Sequence, residues 1–161
     1  MLRIPALCSI VNYMMYKIFS LLHKIYPAKE VWAHCDIPCG IYTAEPALTA
    51  AKTVARMAEK IEALPKDMPP TLQTLNSFVR MVQVKEEHAQ ICKKELLVLW
   101  TDYFKPEHLE MFPGLHETFW QAAKLCSRNK QEVSKEAAQE LLRAVEEIAG
   151  IFAKAEAAKA K

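Results

Sequence analysis

At 161 residues the chain is long enough for one domain around one core. Over half of its residues are apolar and a quarter are charged, which excludes a disordered composition. The net charge of +2 excludes the broad basic surface that tracks nucleic acid.

That charge is unevenly spread. Residues 1–33 hold Arg3, Lys17, Lys24 and Lys29 against Glu30 alone, which leaves 17 basic and 18 acidic residues to the remainder. With three glycines the chain is poor in the turn residues a sheet needs, and Ala, Leu, Glu and Lys dominate beyond Pro46. The expectation is an all-α fold. The five cysteines, Cys8, Cys35, Cys39, Cys92 and Cys126, are an odd number without regular spacing. They suit a reducing compartment, or a metal that claims two thiols, better than a disulfide framework.

Residues 1–33 read as a leader. They are rich in Ile, Leu, Met and Tyr and carry no acid before Glu30. The longest uncharged stretch, Ile4 to Tyr16, is too short to span a bilayer, so no stable membrane insertion is expected. Val31-Trp32-Ala33 resembles a cleavage site. One reading is a secretory signal, which the polar stretch Lys24–Glu30 disfavours. The other is a pro-segment removed by a dedicated protease, in a chain that works in the cytoplasm. Both cut before His34.

His34 to Tyr42 is irregular, because Pro38 and Gly40 bracket Cys39. Helix one is expected over Pro46 to Leu64, with Thr43 as its cap and Leu48, Ala51, Val54, Ala55, Ala58 and Ile61 inward. Helix two is expected from Thr71 to Phe104. Its seam of Leu75, Phe78, Val82, Lys85, Ala89, Cys92, Leu96, Leu99 and Tyr103 alternates spacings of three and four. Lys105-Pro106 ends it, and a turn reaches Phe112-Pro113-Gly114. Helix three is expected over Leu115 to Ser127, with Leu115, Phe119, Ala122 and Cys126 inward. Helix four is expected over Gln131 to Lys159, on a stripe of Ala137, Leu141, Ala144, Ile148, Ile151 and Ala155, with a fraying Ala/Lys tail. Short connections make an antiparallel four-helix bundle, over about 46–159, the natural architecture. Cys92 and Cys126 fall on apolar faces and read as small buried residues.

The chemistry concentrates in His34-Cys35-Asp36-Ile37-Pro38-Cys39-Gly40-Ile41-Tyr42, which holds one imidazole and two thiols within six residues. A structural zinc site needs four side-chain ligands, and no second pair accompanies this one. His88, His108 and His116 lack ligand-like spacing. The cluster makes sense once His34 is the first residue. A cut before it frees an amine beside Cys35. That amine, the deprotonated Cys35 amide and the Cys35 and Cys39 thiolates can lie in one plane. Mixed nitrogen and sulfur donors in a square suit nickel(II) or copper(II). The His34 imidazole is then available as an axial ligand.

This run resembles the nickel hook of nickel superoxide dismutases, which begin His-Cys-x-x-Pro-Cys-Gly-x-Tyr once their leader is gone. Leu99-Trp100-Thr101-Asp102-Tyr103-Phe104-Lys105-Pro106 is similar to that family's Trp-x-Asp-Tyr-Phe-Lys-Pro segment. The resemblance runs from His34 to the last helix. It implies a bundle assembled as a homohexamer, and dismutation of superoxide by a nickel ion, one per subunit, that cycles between charge states two and three. It further implies His34, Cys35 and Cys39 as metal ligands and Tyr42 over the open axial face. Behind them it places Tyr103 near Tyr42, with Asp36 and Lys105 pinning the hook to the bundle. Lys105 can also attract the superoxide anion.

The chain departs from the family at two positions. Where some members carry a glutamate and an arginine that orient the axial imidazole, Ala50 and His88 stand here. His88 reads either as a contact of the hook, across a subunit interface, or as a surface histidine in a charged run. Three rival functions remain at this stage: a nickel or copper storage protein, a thiol redox protein using Cys35 and Cys39, and a helical interaction module.

Overall fold

The computed structural model of the chain describes residues 13, 15–17, 19–20, 24, 41–65 and 70–159. By contact the chain divides into two compact units, Met1–His34 and Cys35–Lys161. In the first, each described residue is helical, and the Lys17 ammonium lies 5.5 Å from the centre of the Tyr13 ring.

The second unit is built from α1 (Glu45–Glu62), α2 (Leu72–Val98), a π-helical turn (Leu99–Tyr103), α3 (His108–Met111), α4 (Leu115–Gln131) and α5 (Lys135–Lys159). The four long helices close a ring in which α1 packs on α2 and α5, and α4 packs on the same two. This is the expected four-helix bundle. Its α1 face is mostly alanine, with Ala47, Ala50, Ala51, Ala55 and Ala58 buried around Val54. Larger side chains come from the neighbours: Leu96 and Leu99, Leu115 and Phe119, Leu141 and Ile148. Each such side chain contributes roughly 1.5–3 kcal/mol on burial. Cys92 and Cys126 are fully buried, as expected of small core residues. Each thiol contacts the other; that hydrogen bond first, and burial second, push the Cys92 thiol far above its ordinary pKa.

The helix boundaries differ from the sequence reading for identifiable reasons. Helix one starts at Glu45, and Thr43 Oγ1 accepts the Glu45 N–H at 3.2 Å from just outside it. Thr71 caps α2 by accepting the Thr74 N–H at 3.1 Å. Helix two does not run as α-helix to Phe104. It widens at Leu99 into a π turn, in which the Phe104 N–H donates five residues back to the Leu99 carbonyl at 3.1 Å. The extra residue turns both Tyr103 and Phe104 inward. Helix three continues four residues past Ser127, because the buried Asn129 amide donates to the carbonyls of Leu125 and Ala137, each at 3.0 Å. Helix four starts at Lys135 rather than Gln131, behind Ser134, whose hydroxyl accepts the Ala137 N–H at 3.1 Å. Its expected fraying tail is helical through Lys159.

Lys85, the one charged member of the seam, is 1 % exposed. Its ammonium donates to the carbonyls of Asn129 and, at 3.0 Å, Glu132. It therefore closes the C-terminal end of α4, where the last carbonyls lack helical partners. Burial lowers its pKa, against the opposing charges of Glu86 and Glu132. The folded amine thus sits below its unfolded pKa. The burial penalty is fully present below the folded value and is relieved as pH rises through it towards the unfolded one. Lys85→Ala removes the cap and leaves a cavity. It is expected to cost about 2–4 kcal/mol in denaturant unfolding, with Lys85→Met losing less because it refills the space.

The N-terminal third of the seam has no such cover. Since Lys85 meets the end of α4, the turns of α2 before it extend past that neighbour. Leu75 and Phe78 are consequently exposed, beside Val79 and Leu72, the last at 86 %. Among the described residues, no helix is long and apolar enough to cross a membrane.

Candidate metal centre

His34, Cys35, Asp36 and Cys39 lie outside the described residues. Their fit to a metal rests on the donors themselves: an imidazole, two thiols and an amine that a cut before His34 would free. Among the described residues no group of three His, Cys, Asp or Glu side chains is placed to hold a metal ion. Cys92 and Cys126 are sealed in the core and are no alternative ligands.

Of the hook, Ile41 and Tyr42 are described, and Ile41 is exposed whereas Tyr42 is not. Tyr42 is half-buried just before α1 and packs on the core. Its ring meets that of Tyr103 edge-on, with centres 5.6 Å apart and planes at 65°. The π turn makes this contact possible by aiming Tyr103 inward at the end of α2.

Tyr103 is held on every side. Phe104 and Phe152 pack at 4.8 and 4.6 Å between ring centres, and His108 stacks at 5.7 Å and 26°. Its hydroxyl donates to Glu156 Oε1 at 2.5 Å. Lys159 Nζ donates to the same oxygen at 2.9 Å and lies 4.0 Å from the centre of the Tyr103 ring. Burial first, then the hydrogen bond to Glu156 and its charge, push the Tyr103 phenol well above the usual tyrosine range. The bond from Tyr103, then that from Lys159, hold the Glu156 carboxyl below its usual range.

His108 was read only as a histidine beside a helix. It is buried, and its Nδ1 accepts the Lys105 N–H at 2.9 Å, which assigns the ring proton to Nε2. It thereby fixes the backbone that follows the π turn and supports Tyr103 from behind. Lys105 itself is exposed. Trp100, of the same motif, donates from Nε1 to His116 Nδ1 at 2.8 Å and stacks on Phe119. His116 is thus engaged away from Tyr103. His88 is half-buried, with Nδ1 donating to the Val84 carbonyl one turn back at 2.9 Å. It precedes Tyr103 by fifteen residues, roughly 22 Å along a helix, which separates it from the Tyr42–Tyr103 pair of its own chain. Ala50 is buried against α1's neighbours.

Residues 29–156 match the family model for nickel-containing superoxide dismutase. The chain belongs to that family. It is 35 % identical over 133 residues to "Superoxide dismutase [Ni]" of Streptomyces seoulensis, covering 82 % of this chain and 95 % of the relative. The corresponding protein of Streptomyces coelicolor is 34 % identical over the same length and shares of the two chains. Among solved structures, a nickel-containing superoxide dismutase with nickel ligation corresponding to the oxidised state aligns with a TM-score of 0.67 and 35 % identity. The alignment covers 76 % of this chain and 98 % of that one. A native nickel superoxide dismutase gives a TM-score of 0.66 at 32 % identity, with 76 % and 99 % covered. In this chain the motif from Leu99 to Pro106 has a structural meaning. It is the π turn and the kinked exit that together present Tyr103 to Tyr42.

Glu156 and Lys159 were missed from the sequence, where they stand in an Ala/Lys-rich tail without a periodic signal. A carboxylate one turn beyond Phe152, itself on the core, was the available hint.

Proposed function

We propose that this chain is a superoxide dismutase precursor, in which one nickel ion per chain is held by His34, Cys35 and Cys39 after a cut before His34. The reaction joins two superoxide anions and two protons into oxygen and hydrogen peroxide. The donor set carries the reading: two thiols, an imidazole and a latent amine, in a chain whose residues 29–156 match the family. Bound nickel supplies the one-electron couple, which thiolates and an anionic amide bring within reach of superoxide by stabilising the higher charge state.

The protein's own residues do the rest. Cys35 and Cys39 would supply thiolates to the metal, and the Cys35 amide nitrogen would supply a further donor once deprotonated. The His34 amine and imidazole would complete the donor set. Tyr42, backed by Tyr103, would limit which anions approach the metal and would order water beside it. Lys105 adds positive charge next to this end of the bundle and favours an anionic substrate locally. Asp36 pins the hook. With Ala50 in place of a carboxylate, the His34 imidazole would need another partner, which His88 of a neighbouring subunit could provide.

That role for His88 requires assembly, and a homohexamer is the proposed state. The exposed Leu72, Leu75, Phe78 and Val79 supply apolar surface for subunit contact. The proposed leader, residues 1–33, requires a processing protease. The division of the chain at His34 and Cys35 supports a boundary there. The cytoplasm is the proposed compartment, with export as the rival that fractionation of the host distinguishes.

The deciding measurement is intact mass and N-terminal sequencing of active protein from its native host, with nickel content and electron paramagnetic resonance. The expected result is a chain starting at His34, about one nickel per chain, and a rhombic nickel(III) signal. An active nickel form that retains residues 1–33 refutes the scheme. A chain that starts at His34 and binds nickel without dismutation establishes the storage reading instead.

A further inference from the structure

A phenol has one proton to give, and that of Tyr103 goes to Glu156 at 2.5 Å. The accepting oxygen is held from the other side by Lys159, whose ammonium also lies over the Tyr103 ring. Glu156 and Lys159 are three residues apart on α5, so one helix face supplies both the acceptor and its clamp. The ring that they fix is the one on which Tyr42 rests.

We propose that Glu156 is a positioning residue for the Tyr42–Tyr103 pair: with Lys159 it commits the Tyr103 hydroxyl to α5, so that Tyr103 supports Tyr42 through its ring and does not serve as a proton donor to the reaction. This rests on the dismutase reading of the hook. It assigns to the last helix a part in the site, through residues outside both sequence motifs.

The contact acts through orientation and through charge, and the two are separable. Glutamine at 156 still accepts a hydrogen bond, whereas alanine does not. Either removes the carboxylate. The titratable and charged groups that face Tyr103 among the described residues are Glu156 and Lys159 from α5, His108 from α3, and Tyr42. Glu156 is the anion of this set and keeps the phenol protonated. Without it, burial alone opposes ionisation, and tyrosinate forms at lower pH. A tyrosinate beside Tyr42 repels an anionic substrate. The alkaline limb of kcat/KM then moves down.

The test uses the nickel-loaded chain starting at His34, with Glu156→Gln, Glu156→Ala, Tyr103→Phe and Tyr103→Phe/Glu156→Gln variants. Tyrosinate absorbance follows the Tyr103 phenol by difference from Tyr103→Phe, on loaded and metal-free protein alike. Both Glu156 variants are expected to lower the Tyr103 titration by at least about one pH unit. The alkaline limb should move with it. At neutral pH, Glu156→Gln should keep turnover within about two-fold, while Glu156→Ala loses roughly five-fold or more. In the Tyr103→Phe background, Glu156→Gln should no longer move the limb. An unchanged Tyr103 titration overturns the proposal, as does a limb shift that persists without the phenol. A titration shift in a chain that shows no dismutation upholds the Glu156 contact and counts against the activity instead.

Discussion

Replacing Cys35 or Cys39 with serine is expected to abolish dismutation, a loss on the order of a thousand-fold or more in kcat/KM. A hydroxyl does not ionise near neutral pH, and a neutral oxygen donor does not stabilise the higher nickel state as a thiolate does. Nickel content and the rhombic resonance should fall together with activity. The helical circular dichroism and the unfolding midpoint should stay near those of the parent. The reason lies in the core. Its described members, from Ala44 to Ala155, include Cys92 and Cys126, and these thiols hold bundle positions at the α2–α4 contact. The same substitution at Cys92 or Cys126 should give the opposite pattern, with stability falling and nickel content retained. A bundle that unfolds in Cys35→Ser would make that cysteine structural and remove the metal reading.

The helices were legible because burial repeats at helical spacing. Alternating steps of three and four place Lys85, Ala89, Cys92 and Leu96 inward on α2 and Leu99 inward at the start of the π turn, and all five are buried. The same pattern misled at Leu75 and Phe78, since spacing records which face is apolar and not how far the neighbouring helix extends. Helix ends depended on partners distant in sequence. Lys85 reaches Asn129 and Glu132 across more than forty residues, and no local signal at Ser127 announces that support.

At the candidate site, the local chemistry was legible and its framing was not. Two thiols and an imidazole in six residues, followed by Tyr42, stand out against a helical background. The π turn does not. It preserves the step of four from Leu99 to Tyr103 and shows itself only in Phe104, which turns inward next to Tyr103. His108 and Glu156 read as ordinary polar residues. Their roles come from tertiary placement, one behind the Tyr103 ring and the other at its hydroxyl.

One extra residue in front of His34 is expected to disable the enzyme as thoroughly as loss of a thiol. In the full chain the His34 nitrogen is part of the Ala33–His34 peptide bond. A peptide nitrogen there is delocalised into its carbonyl and cannot bind as the neutral amine of the proposed donor set. Two chains separate this from every other effect of the leader: one starting at His34 and one starting at Ala33, each prepared with an unblocked terminus. They share all side chains from His34 onward, including both thiols and the imidazole. The chain starting at Ala33 still has an amine, moved one residue along, where it no longer forms a five-membered chelate ring with the Cys35 amide nitrogen. Activity should fall on the order of a thousand-fold, with the rhombic nickel signal lost and the helix content unchanged. Equal activity in the two chains would show that the amine is no ligand, and would leave the two thiols and the imidazole to account for the metal by themselves. Loss in the longer chain makes the cut before His34 the step that converts a folded bundle into an enzyme. The activity would then be governed by a protease acting on one bond, with no change required in the helices that carry the site.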